Sequence, residues 1–206
     1  MEREMASSKI KYSDRARRLY LNAFKLAKAG KEREALPILR EAVSHGHGPS
    51  LYAYATWKLH GGIVRKNFRE AAILLHRAAK LGISLAYYDL GVSYETGKGV
   101  SKNARKAFRC YMAAAKLKCN HAFVEVARCY YYGIGIKKSI TSAMEWYGYA
   151  AKRGSVEAQY SLARGYELGE GLPMSLPRAI RWYKKSAAGG DSDAQRALRN
   201  LKRARY

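Results

Sequence analysis

Apolar and small side chains recur along this chain at helical intervals. Ala86, Leu90 and Tyr94 are four residues apart, as are Ala158, Leu162 and Tyr166, so each trio stacks along one face of a helix. We call this element helix A. A glycine pair closes each block: Gly97-Lys98-Gly99-Val100, Gly133-Ile134-Gly135-Ile136 and Gly169-Glu170-Gly171-Leu172. The first glycine suits the left-handed conformation that ends a helix, and the branched residue after the second can tuck back as an apolar plug. A second apolar face follows, with Ala107, Tyr111, Ala114 and Ala115 in one block and Ala143, Trp146, Tyr147 and Ala150 in the next. This is helix B, whose small alanines let the two helices pack closely.

The pattern repeats. Ala35, Ala71, Ala107, Ala143 and Ala179 fall 36 residues apart, and so do Ala86, Ala122, Ala158 and Ala194. Tyrosine stands three residues ahead of each full glycine pair, at Tyr94, Tyr130 and Tyr166. Gly61-Gly62-Ile63-Val64 is a weaker copy with Lys58 in the tyrosine slot. One helical hairpin cannot cover its own apolar faces, so each unit needs neighbours, and a stack of hairpins follows. The spacing of Ala23, Ala27, Ala35, Leu39 and Ala42 around the turn at Gly30-Lys31 is that of a tetratricopeptide-like hairpin, expected to be shorter and tighter than the rest. At the other end, a lone helix-A copy over Ser192 to Arg205 carries Lys202 in the tyrosine slot. Its outer face presents Arg196, Arg199 and Arg203, a polar lid.

At these residues the chain resembles the Sel1-like repeat family. Ala86, Leu90, Gly91, Tyr94, Gly97, Gly99 and Val100 carry the first half of its motif; Ala143, Trp146, Tyr147, Ala150, Ala151 and Gly154 carry the second. The resemblance covers roughly 48 to 205. Leu74-Leu75 and Cys110-Tyr111 replace Trp-Tyr, Lys118 replaces the closing glycine of Gly82, Gly154 and Gly190, and the paired cysteines of the secreted members are missing. The expected fold is all-α, a right-handed α/α solenoid of Sel1-like and tetratricopeptide-like hairpins forming a single domain over 1–206. Its divisions are a flexible N-terminus over 1–12, the opening hairpin over 13–47, Sel1-like repeats over 48–83, 84–119, 120–155 and 156–191, and a capping helix over 192–206. The resemblance implies an adaptor that grips a protein on a concave surface lined by helices A. Some bacterial members resemble immunity or host-interaction proteins, which makes an effector-neutralising immunity protein one form of that expectation.

Charge adds a partner preference. Lysine and arginine number 39 against 16 acidic residues, a formal net charge of +23, which favours an acidic protein, nucleic acid or an anionic surface. Met1 to Gly30 contain no signal-peptide core, and no later run is long enough for a transmembrane segment, so a cytoplasmic location is expected. Cys110, Cys119 and Cys129 form no metal-ligand pair and read as reduced thiols.

Helix-A residues facing away from the packing stripe are the expected partner-binding set: Tyr52, Tyr88, Asp89, Val92, Glu125, Arg128, Tyr131, Tyr160 and Arg164. Tyrosine and arginine anchor interfaces through large contact area and directed hydrogen bonds. A second expected surface is a basic patch on the loops and first turns of helices B, formed by Arg65, Lys66, Arg69, Lys102, Arg105, Lys106, Lys137 and Lys138. Spaced by the repeat, these could follow a phosphate backbone, giving the alternative of a nucleic-acid or anionic-surface binder. The Gly-x-Gly loops follow helices rather than strands and lack the remaining parts of a phosphate cradle. His45 and His47 lack a third ligand, and His60, His76 and His121 are isolated from one another. Nothing resembles a nucleophile elbow or a carboxylate pair. No enzyme activity, metal or cofactor is expected.

Overall fold

The helical periodicity becomes eleven α-helices in this computed structural model, which describes residues 13–203. They are α1 (Asp14–Lys28), α2 (Glu32–Ser44), α3 (Gly48–His60), α4 (Phe68–Lys80), α5 (Ser84–Thr96), α6 (Ala104–Lys116), α7 (Asn120–Tyr132), α8 (Ile140–Lys152), α9 (Val156–Leu168), α10 (Leu176–Ala188) and α11 (Ser192–Arg203). There is no strand among the described residues. The expected flexible segment 1–12, and 204–206 at the end of the expected cap, lie outside them. The helices fall into two compact units that divide after Leu117.

In the first unit, α1 to α6, each helix packs on the next in the chain. A core of Ala23, Ala35, Leu39, Leu51, Leu75, Ala86 and Leu90 runs through it. Leu51, Leu75 and Leu90 are essentially inaccessible, and truncating any one of them to alanine costs about 2–5 kcal/mol. Residues 29–31 join α1 to α2, whereas seven-residue loops join α3 to α4 and α5 to α6. The opening connection is therefore tighter, as expected. The opening hairpin, Asp14–Ser44, is also shorter overall than Gly48–Lys80 and Ser84–Lys116, although α1 at 15 residues exceeds the 13 of α2 to α6.

The seven-residue loop has a fixed construction. Gly97, at φ 77° and ψ 14°, ends α5 in the left-handed conformation, its N–H donating to the Ser93 carbonyl at 2.8 Å. Asn103 then donates its N–H to the Tyr94 carbonyl at 2.8 Å, closing the loop, and its side chain accepts the Lys106 N–H at 2.9 Å to cap α6. Such a cap contributes about 1 kcal/mol. Gly99 lies directly on the Phe68 carbonyl at the start of α4, where any Cβ would overlap it, so the second glycine sets the distance between successive hairpins. In the weak copy, Asn67 closes on the Lys58 carbonyl at 2.9 Å and Val64 is the buried plug. Lys58 reaches Glu70 in the first turn of α4 at 2.8 Å, so an ion pair stands in for the tyrosine.

The second unit, α7 to α11, uses the same parts. Ser139 closes on Tyr130 at 2.9 Å and Ser175 on Tyr166 at 2.7 Å, while Gly171 abuts the Ile140 backbone. Tyr183 of α10 is 1% exposed and packs with Ala163, Ala179 and Ala194. The last helix buries only Ala194 and exposes Arg196, Arg199, Lys202 and Arg203, the polar lid expected of a solenoid end. Lys118 has φ 63°, a left-handed conformation it adopts where Gly82, Gly154 and Gly190 stand in sister repeats.

Candidate partner-binding site

Helix-A outer faces supply the candidates in both units, and in the second Tyr160 packs on Tyr183 with ring centroids 5.7 Å apart. In the first unit, α3 carries Tyr52, half-buried against the core, and α5 carries Tyr88, Asp89 and Val92, each half-buried. The Tyr88 ring lies 5.9 Å from that of Tyr111, and the Tyr111 hydroxyl donates to Glu95 at 2.8 Å. Tyrosines at these positions can serve either an interface or packing between repeats, and the rings of Tyr52 and Tyr88 do pack, being long enough to reach the neighbouring helix.

In the second unit the candidates converge. Arg128 of α7 donates to Glu125 at 2.8 Å, an ion pair one turn apart on the same helix. Tyr131, Tyr160 and Arg164 line one small cleft of about 100 Å³ together with Tyr132, Met144, Tyr147, Ser161, Gly165 and Glu170. Gly165 makes room for it: a Cβ there would sit 2.6 Å from the Met144 sulfur, so α8 and α9 approach closely only because that side chain is missing. The Tyr131 hydroxyl donates to Glu170 at 3.1 Å, and the exposed Tyr132 ring meets Tyr131 edge-on at 4.9 Å. Burial, followed by the Glu157 charge, pushes the Tyr147 phenol up to about 12, against a Ser161 hydrogen bond. Burial and the bond to Glu170 raise Tyr131 as well. The phenols therefore stay protonated at neutral pH, and the single Tyr131 proton is the one given to Glu170.

Several cleft residues escape sequence reasoning. Tyr147 belongs to the helix-B core pattern, and Glu170 stands in a loop between two glycines. The one signal was that Glu170 occupies a slot held by Lys98 and Ile134 in sister loops.

All eight residues of the expected basic patch are exposed. Lys66 and Lys98 lie 4.9 and 5.9 Å from the Phe68 ring centre, Lys106 5.4 Å from Tyr94, and Lys138 5.9 Å from Tyr131. Among the described residues, no group of three or more histidine, cysteine, aspartate or glutamate side chains could hold a metal ion. His47 has a structural task as the cap of α3. Its Nδ1 accepts the Ser50 N–H at 3.3 Å and lies 2.8 Å from Ser50 Oγ. No helix among the described residues is long and apolar enough to cross a membrane.

The model of the Sel1 repeat matches residues 48–83, 84–119, 124–155 and 156–191, most of the chain. The chain belongs to the Sel1 repeat family. A Sel1 repeat protein from Oxalobacter formigenes superposes with a TM-score of 0.82 at 30% identity, over 87% of this chain and 74% of that one. The protective antigen c5321 of uropathogenic Escherichia coli, described as having an SLR fold, gives 0.87 at 24% identity, over 97% of this chain and 42% of that one. The immunity protein Pa5087 from Pseudomonas aeruginosa gives 0.54 at 24% identity, over 93% and 72%. A search of curated proteins gave no significant match. The fold is thus the α/α solenoid of Sel1 hairpins, an architecture that generally serves protein–protein interaction.

Proposed function

We propose that this Sel1 repeat chain is a cytoplasmic, non-enzymatic adaptor that binds a protein partner through its helix-A faces, in the manner of an immunity or effector-neutralising protein. The observation that carries the reading is the convergence of Tyr131, Tyr160 and Arg164, from two successive helices A, on one cleft. Tyrosine and arginine in a concave pocket are the usual composition of an interface anchor. The likeness in fold to an immunity protein supports the neutralising form, and the +23 charge favours a partner with an acidic surface.

Affinity capture with the full chain, after nuclease treatment, tests it. A specific protein should be recovered by the wild type and lost with Tyr160→Ala combined with Arg164→Ala. Recovery unchanged by that pair would overturn the helix-A assignment.

A second reading draws on the basic patch. In the first unit, Arg65, Lys66, Arg69, Lys102, Arg105 and Lys106 are all exposed at two successive helix-B starts, an arrangement suited to phosphates. It requires nucleic-acid affinity that falls steeply with salt and is lost on charge reversal at Lys102 and Arg105.

A further inference from the structure

The outer faces of α4 and α6 in the first unit carry one sign of charge along their whole length. Every exposed charged side chain of the two helices is basic, and the sole acid in either sequence, Glu70, is paired with Lys58 at 2.8 Å. The cations recur from one hairpin to the next: Lys66 and Lys102 just before the helices, Arg69 and Arg105 in the first turns, Lys80 and Lys116 at the last residues. The two rows are neighbours. Lys66 and Lys98, from successive loops, lie 4.9 and 5.9 Å from the Phe68 ring centre. Burial, then the charges of Lys80 on α4 and Lys106 on α6, hold the His76 imidazole below its ordinary pKa, so cations of both helices act on one ring. Each helix has 13 residues, which makes a row about 20 Å long. A DNA duplex carries about one phosphate charge per 1.7 Å of its axis, so a surface of that length meets several phosphates at once.

What this face lacks narrows its partner. Neither helix contains serine, threonine, asparagine or glutamine, the neutral groups that read base edges or a ribose hydroxyl. Single strands are held by stacking bases on open aromatic rings, whereas here Phe68 and Phe108 are half-buried and Tyr111 is buried. Ile73 is the one exposed large apolar side chain of the two helices, too little to enter a lipid surface. A protein interface centres on aromatic anchors, and this face presents lysine and arginine instead. We infer that the outer face of α4 and α6 holds duplex DNA by its phosphates, without regard to base sequence. The inference rests on the second reading above and deepens it. It carries the surface from the helix-B starts to Lys80 and Lys116 at the far ends, and it names a double helix rather than a single strand.

The test is fluorescence anisotropy of the full chain with a labelled, mixed-sequence DNA duplex of about two helical turns. Between about 50 and 200 mM salt the affinity should fall about a thousandfold, the slope of about six phosphate contacts. A DNA duplex of unrelated sequence should bind within about twofold, and an RNA duplex no more tightly. K80Q combined with K116Q should weaken binding about fiftyfold at about 0.1 M salt and flatten the salt slope by about two. K184Q combined with K185Q, the same loss of charge on α10 of the second unit, should leave that slope unchanged. Tighter binding of oligo-dT or of the RNA duplex, a preference of more than about tenfold between DNA sequences, or affinity indifferent to salt would overturn the inference. So would an equal loss in the K184Q and K185Q variant, or binding to phosphatidylcholine–phosphatidylglycerol vesicles but not to DNA. If K80Q with K116Q binds as the wild type does while charge reversal at Lys102 and Arg105 abolishes binding, the inference falls and the second reading stands. If neither duplex nor single strand binds at about 50 mM salt, both fall.

Discussion

The Tyr131 hydroxyl at the end of α7 donates to the Glu170 carboxylate in the loop after α9, 3.1 Å away and one repeat further along the chain. That bond ties the tip of one hairpin to the next while holding the Tyr131 ring against the cleft. Removing it with Tyr131→Phe should cost about 1 kcal/mol in urea unfolding. Glu170→Gln, which keeps an acceptor, should cost less. Equal losses would mean that the carboxylate's charge, not the hydrogen bond, matters there.

Alkaline stability should follow from the tyrosines. Burial raises Tyr20, Tyr94, Tyr131, Tyr147 and Tyr183 above the ordinary phenol value, Tyr147 to about 12. A group whose pKa is raised on folding contributes stability that is complete below its unfolded value near 10 and is lost as pH rises through the folded value. Stability should be flat on this account up to about pH 10 and fall beyond it, with tyrosine ionisation in the ultraviolet coinciding with unfolding. Full ionisation of all tyrosines near pH 10 in the folded chain would contradict this.

On the acid side one contributing group is His47, 3% exposed. Burial, and then the Arg17 charge, lower its pKa to about 4. The folded state holds the neutral ring that caps α3, and the unfolded chain protonates first. Stability from this group is present above about 6.5 and declines as pH falls toward 4, by up to about 3 kcal/mol. His47→Asn retains a capping side chain and should remove most of that slope, which urea unfolding at a series of pH values would read.

Two backbone sites make opposite predictions. Lys118 holds the left-handed conformation at φ 63°, so Lys118→Gly should raise stability by about 1 kcal/mol. Gly99→Ala should lower it by several times as much, because its Cβ would overlap the Phe68 carbonyl at the hairpin contact. Thermal melts of the two variants give the signs directly.

The repeat made the helices legible because packing enforces it at every turn: Ala107, Ala143 and Ala179 are small wherever two helices cross, and Asn67, Asn103, Ser139 and Ser175 close the same loop. The cleft was half legible. Tyr131, Tyr160 and Arg164 face outward on helices A and were readable from spacing. Tyr147 and Met144 sit on a helix-B pattern that spells core, and only the missing side chain at Gly165 opens a space where they meet the surface. Tyr52, Tyr88 and Tyr160 share one column of the repeat, where period places them outward while ring length carries them onto the core, onto Tyr111 and onto Tyr183.

Hydrogen–deuterium exchange of the full chain, alone and with its captured partner, tests most directly whether helices A carry recognition. The account predicts slowed exchange in α7 and α9 and the loop holding Glu170, with the starts of α4 and α6 unchanged. Slowing confined to those helix starts and to Lys137 and Lys138 would contradict it and hand recognition to the basic loops.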